Sequence, residues 1–145
     1  MNWYKKSQNQ SSCNFQPLNS IKRIDSQSLL DEALNIHFGD DTLGAEESDL
    51  PSKINEYYWY DLRLLNIQQL RYVDSVKNAP YQIERHKIEK NKQLIQKSKT
   101  YPPIIVDALN NIIDGYHRVF ALKELGCINV WVYVPDKKSK NNELV

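Results

Sequence analysis

A strand and a helix meet across a single glycine at residues 112–126, Ile-Ile-Asp-Gly-Tyr-His-Arg-Val-Phe-Ala-Leu-Lys-Glu-Leu-Gly. Gly115 can take the positive φ that so sharp a junction needs, and Gly126 stands where helices commonly close on a left-handed residue. The flanks extend the pattern. Pro102-Pro103 stops any preceding helix. Residues 104–107 read as a short apolar strand. Residues 108–111 read as a turn, because Asn tolerates positive φ, and residues 111–114 as the return strand. After the helix, residues 128–134 alternate as a strand ended by Pro135. Ile128, Val130, Val132 and Val134 share one face, and Asn129, Trp131 and Tyr133 the other. Residues 102–134 therefore predict strand–turn–strand–Gly–helix–strand, an α/β unit.

The junction also suggests chemistry. A helix N-terminus offers unsatisfied N–H groups and a partial positive charge, and a preceding glycine lets an anion approach the backbone. His117 and Arg118 fall in the first turn, and an Arg fork matches a phosphate bidentately. Cations there cost ~0.3–1 kcal/mol each, so they call for a reason, and a bound anion supplies one. Asp114 can cap the helix, orient His117 or Arg118, or help hold a metal that travels with phosphates. The competing reading is structural: Arg118 pairs with Asp114, and His117 is a satisfied hydrogen-bonding residue. Residues and spacing leave both open.

Upstream, residues 26–38 predict a helix capped by Asp25 or Ser26, with Leu29, Leu30, Ala33, Leu34 and His37 on one side and Gly39 at its end. An acidic loop follows over 40–49. Residues 54–73 are rich in Tyr, Leu and Ile. Residues 57–65 read as a strand, and 67–73 as a second strand or short helix. The cluster Tyr57, Tyr58, Trp59, Tyr60 could stack a base, although such clusters more often form core with polar tips. Residues 84–99 predict a charged helix with a thin apolar stripe of Ile88, Leu94 and Ile95, interrupted by Asn91. His86 reads as a surface residue, and no second His lies four residues on, which excludes an HExxH metal site. The domain reading is a polar N-terminal extension with one helix over 1–50, an α/β domain over 51–136, and a loose tail over 137–145.

The 145-residue chain carries a net charge of only +1, but unevenly. Residues 1–70 hold 6 Lys/Arg against 10 Asp/Glu, and residues 71–145 hold 13 against 8, so the junction lies in the basic half. Cys13, in a polar tail, and Cys127, in what reads as a buried turn, make neither a CxxC site nor a disulfide framework, and a cytoplasmic setting is the default. The first residues lack the apolar core of a secretory signal, and no apolar run approaches a membrane span.

Pro103-Ile104-Ile105-Val106, then Asp114-Gly115-Tyr116-His117-Arg118, then Ala121, Gly126 and the strand 130–134 resemble the ParB/sulfiredoxin superfamily, specifically its ParB-like N-terminal or "ParB-like nuclease" domain. The match is close over 102–134, looser back to about Tyr57, and absent over 1–50. The resemblance implies a small mixed sheet with packed helices, here with an N-terminal helical extension. It also implies a nucleotide pocket binding ATP or CTP with Mg²⁺. By position, Gly115, Tyr116, His117 and Arg118 would line the phosphate cradle, with Lys90, Lys97 and Ser98 as candidates from the preceding helix. His117, Arg118 and Asp114 would be the catalytic candidates, with Glu84 as an alternative carboxylate, and no dedicated protein metal site is expected.

Two departures narrow the activity. Sulfiredoxins place their catalytic Cys where this chain has Tyr116, and a phenol cannot replace that thiolate. Cys127 lies ~15 Å away at the far end of the helix. Sulfiredoxin chemistry is thus not expected. Chromosome-partitioning ParB proteins carry Gly-Glu-Arg-Arg and a helix-turn-helix domain downstream, whereas residues 136–145 alone follow the last strand here.

Three functional expectations follow. The main one is a cytoplasmic nucleotide-binding, ATP-binding hydrolase or phosphotransferase. Free-amino-acid kinases within the superfamily make small-molecule phosphorylation part of it. The second is a DNA-binding or nuclease accessory protein of a plasmid, phage or other mobile element, its basic 85–99 helix against the backbone. The third is a non-catalytic interaction module using the aromatic cluster and the acidic 40–49 loop. A homodimer or protein partner could be held through the N-terminal extension, and no membrane partner is expected.

Overall fold

A computed structural model describes residues 13–36, 38, 50–72 and 83–136. In chain order these form β1 (Gln16–Pro17), β2 (Arg23–Asp25), α1 (Ser26–Asn35), α2 (Leu50–Ile54), β3 (Trp59–Asn66), α3 (Arg85–Ser98), β4 (Thr100–Tyr101), β5 (Ile104–Val106), β6 (Ile112–Asp114), α4 (Tyr116–Glu124) and β7 (Asn129–Pro135). A 3₁₀ turn, Ile67–Gln69, follows β3. Asn66 caps it, and Gln69 returns the bond to the Asn66 N–H. That turn settles the strand-or-helix ambiguity over 67–73. His37, Gly39, the 40–49 loop and the 137–145 tail lie outside the described residues.

Among the described residues, five strands make a mixed sheet in the order β2-β3-β7-β5-β6. The β5–β7 pair is parallel, and the other three pairs are antiparallel. The mixed α/β class read from the sequence is the one observed. Helices cover both faces. On one, α3 and α4 bury Ile88, Ile95, Val119, Ala121 and Leu122 against Ile104, Val106, Val130 and Val132. On the other, α1 and α2 bury Leu29, Leu30, Ala33 and Ile54 against Tyr60, Ile105 and Tyr133. Cover on both sides explains why β5 reads as an unbroken apolar run, and why its alternate residues go to different cores.

The same two-sided cover buries residues on both faces of β7. Tyr133, on the face opposite Val130 and Val132 as read, belongs to the second core, its hydroxyl donating to the Ile21 carbonyl at 2.8 Å. Ile128, read as the first residue of the valine face, precedes the strand and is 61% exposed. Pro135 is the last residue of the strand rather than the first beyond it.

Residues 13–36 join this architecture directly. β2 is an edge strand of the sheet, and α1 starts on Asp25, whose carboxylate accepts the Ser28 N–H at 3.1 Å. β1 pairs in parallel with β4 beside the end of α3. The aromatic cluster divides, and only Trp59 and Tyr60 of it lie in β3. Tyr57 and Tyr60 are buried, with the Tyr60 hydroxyl on the Ile54 carbonyl at 2.8 Å. Tyr58 and Trp59 are exposed, and the Arg23 guanidinium lies 5.3 Å over the Trp59 ring.

Candidate functional site

The turn from β6 into α4 gathers Asp114, Gly115, Tyr116, His117 and Arg118. Gly115 caps α4 at φ 109°, in the left-handed region. The space a side chain would take there is filled from within. A Cβ on Gly115 would stand 2.8 Å from Arg118 Nη2 and 2.8 Å from Ile104 Cδ1. Arg118 is 3% exposed and folds back over the glycine to reach Asp114 Oδ2 at 3.0 Å. His117 is 1% exposed, and its Nε2 accepts the backbone N–H of Glu84 at 3.0 Å. Tyr116 is also buried. Its hydroxyl donates to the Ile112 carbonyl at 2.8 Å, and its ring stacks on Tyr72, which stacks in turn on Phe120. Lys123 Nζ lies over the Tyr72 ring at 5.7 Å, and burial pushes the Tyr72 hydroxyl above its ordinary pKa.

These contacts overturn the nucleotide-binding, ATP-binding and hydrolase reading. A phosphate cradle needs donors aimed outward and an open approach at the glycine. Here the His117 Nε2 accepts the backbone N–H of Glu84, and the guanidinium of Arg118 occupies the approach itself. The shallow groove that reaches Arg118 from outside runs between α1 and Pro102-Pro103. It is rimmed by the carboxylates of Glu32 and Asp114, the wrong sign for an anion. Among the described residues no three His, Cys, Asp or Glu are placed to hold a metal ion. Tyr116, at the position of the sulfiredoxin cysteine, is a core residue, in keeping with a chain that is not a sulfiredoxin.

The other candidates lie on α3. Glu84, its N-cap, reaches the turn through its backbone N–H. Lys90 and Lys97 are exposed, and Lys97 is ~20 Å along the axis from Glu84. Ser98 donates to the Leu94 carbonyl at 2.8 Å and helps close the helix. So Asp114 through Arg118 come together, whereas Lys97 and Ser98 are not part of that group.

The charges of α3 sort into two sets. Arg85 bonds Glu124 of α4 at 2.6 Å and also Glu89. Lys92 reaches Glu124 at 3.2 Å, and Lys87 reaches Glu84 at 2.8 Å. The Arg85 guanidinium, followed by Lys92, draws the Glu124 carboxyl down to about 2, and the Lys87 ammonium lowers that of Glu84. Acids on this side of the molecule are thus held by neighbouring cations. The second set is His86, Lys90, Gln93 and Lys97, all exposed, at helical spacings of four, three and four residues. They form one solvent-facing stripe along the helix. Sequence reasoning had singled out Lys90 and Lys97 as pocket residues. It missed Gln93 and left His86 as an isolated surface residue, although the helical spacing that joins all four was present.

No protein-family model matches the chain, and a comparison with curated proteins finds no match either. Two solved structures of a pNOB8-like ParB N-domain are similar to it. One, a crystal form of that domain, shares 25% identity over 58% of this chain and 33% of its own length, with a TM-score of 0.45. The other shares 24% over 53% of this chain and 28% of its own length, with a TM-score of 0.39. The chain therefore spans about a third of the first of these proteins. Among the described residues no helix is long and apolar enough to cross a membrane.

Proposed function

We propose that this chain is a DNA-binding accessory protein that lays the exposed stripe of α3 along a phosphate backbone. The observation that carries the reading is the alignment of His86, Lys90, Gln93 and Lys97 on one solvent-facing line. Lys90 and Lys97 supply charge, and Gln93 between them supplies an amide donor for a phosphate oxygen. Glu84, Glu89 and Glu124 are engaged by Lys87, Arg85 and Lys92, so their field is offset locally rather than set against the stripe. Side chains that contact phosphates without reaching into a groove bind without reading sequence.

The test is fluorescence anisotropy with duplex DNA at several salt concentrations. Neutralising two phosphates gives a slope of log K against log[salt] of about −2. The double substitution Lys90→Glu/Lys97→Glu should weaken binding at low salt at least tenfold and flatten that slope. Absence of binding by the wild type at low salt would refute the reading, as would a double variant that binds as the wild type does.

A further inference from the structure

Cys13 and Cys127 are remote in the sequence and meet in the fold. Cys127 is buried in the turn after α4 and belongs to the core beneath α3 and α4. Cys13 is partly buried and packs on that same core. Its Sγ lies 3.8 Å from the Leu125 carbonyl oxygen, two residues before Cys127, and the two thiols are in hydrogen-bonding contact. Both are thiols in this structure.

The segment that brings Cys13 here is well anchored. Phe15 is a core residue, with Lys99 Nζ 5.9 Å from its ring centroid. β1 pairs with β4, and the Leu18 N–H donates to the Tyr101 carbonyl at 2.8 Å. Cys13 therefore sits at the near end of an arm already docked across the end of α3.

We propose that Cys13 and Cys127 are a redox pair, joined by hydrogen peroxide into an intramolecular disulfide that fastens the N-terminal arm to the turn after α4. Cys13, the more accessible, reacts first. Its thiolate sulfur attacks one peroxide oxygen, the O–O bond breaks, and the other oxygen leaves as water after taking a proton, so Cys13 becomes a sulfenic acid. The Cys127 sulfur then attacks the Cys13 sulfur. The S–O bond breaks, and the hydroxyl leaves as a second water with the Cys127 proton. In sum, two thiols and one hydrogen peroxide give one disulfide and two waters. The two sulfurs lose two electrons, and the peroxide oxygens gain them. Burial pushes the Cys127 thiol well above its ordinary pKa, which leaves the first attack to Cys13. A reduced dithiol such as dithiothreitol reverses the link by exchange.

The experiment treats the full chain with a small excess of hydrogen peroxide, blocks remaining thiols with iodoacetamide, and reads intact mass and digested peptides. The expected product is a monomer lighter by two hydrogen atoms that takes up no iodoacetamide. Its Cys13 and Cys127 peptides are joined by a bond that dithiothreitol cleaves. Its melting temperature should exceed that of the reduced chain by about 5 °C or more, because the link closes a long loop. Cys13→Ser, at the partly exposed position, should fold, form no link and lose the shift even if a Cys127 variant does not fold. Two alkylatable thiols after treatment would overturn the proposal. So would Cys13 oxidised to a sulfinic acid without linkage, a disulfide only between two chains, or a linked chain that melts no higher than the reduced one.

Discussion

A side chain at Gly115 would have to enter space that Arg118 and Ile104 already occupy. The strain is twofold, since φ is 109° and the two nearest atoms would each be 2.8 Å from a new Cβ. Gly115→Ala should therefore destabilise the chain by about 2–4 kcal/mol, measured by urea unfolding. Arg118 can swing away only by leaving Asp114, which turns a paired buried charge into an unpaired one. A stability loss below about 0.5 kcal/mol would mean that the turn relaxes without disturbing Arg118. Here the sequence was informative but ambiguous. The positive φ of Gly115 and the Asp114–Arg118 spacing of four residues were legible. The direction in which Arg118 and His117 point was not, because it depends on Ile104 and on Glu84, from segments far away in the chain.

As an element, α3 is held by its apolar stripe and by charge. Ile88, Asn91 and Ile95 are buried on one side, and Asn91 Nδ2 donates to the Lys87 carbonyl at 2.8 Å. The helix and its stripe follow from periodicity. The Arg85–Glu124–Lys92 cluster does not, since it joins α3 to α4 and exists only once the two pack. Glu124 gives it a pH signature. Its folded-state pKa is lowered from 4.5 to about 2 by Arg85, so its contribution is present above pH 4.5 and is lost as pH falls toward 2. Its partners are cations throughout that range. Wild type should thus melt at higher temperature than Glu124→Gln at neutral pH, and the gap should close on acidification between pH 4.5 and 2. The gap should be small and fade in salt, because the pair is exposed. A difference that stays constant with pH would assign the effect to packing of the Glu124 stem instead.

At the scale of the molecule, the α/β unit over 102–134 was legible because its strands, turn, helix and glycines follow one another locally. The placement of residues 13–36 was not. β2 is three residues long, and its place depends on pairing with β3 across a long stretch of sequence. What joins these distant parts is a set of buried tyrosines whose hydroxyls bond the backbone of other segments. Tyr60 reaches Ile54, Tyr133 reaches Ile21, and Tyr101 accepts the Trp131 N–H at 2.8 Å. Burial raises all three above the ordinary value of 10.0, Tyr133 to about 12. A raised acid pKa means that the neutral form is favoured in the fold. Its stabilising effect is complete below pH 10 and is lost as pH rises through the folded-state value. The three should therefore ionise only as the sheet opens. In an alkaline titration, tyrosines outside this set should give an early tyrosinate absorbance step with no change in far-ultraviolet circular dichroism. A second step, between pH 10 and about 12, should coincide with loss of the dichroism. Tyr133→Phe removes the bond to Ile21 and should reduce the amplitude of the second step while leaving the first intact. A single absorbance step complete before any loss of dichroism would show that these hydroxyls titrate within the folded sheet and do not tie its parts together.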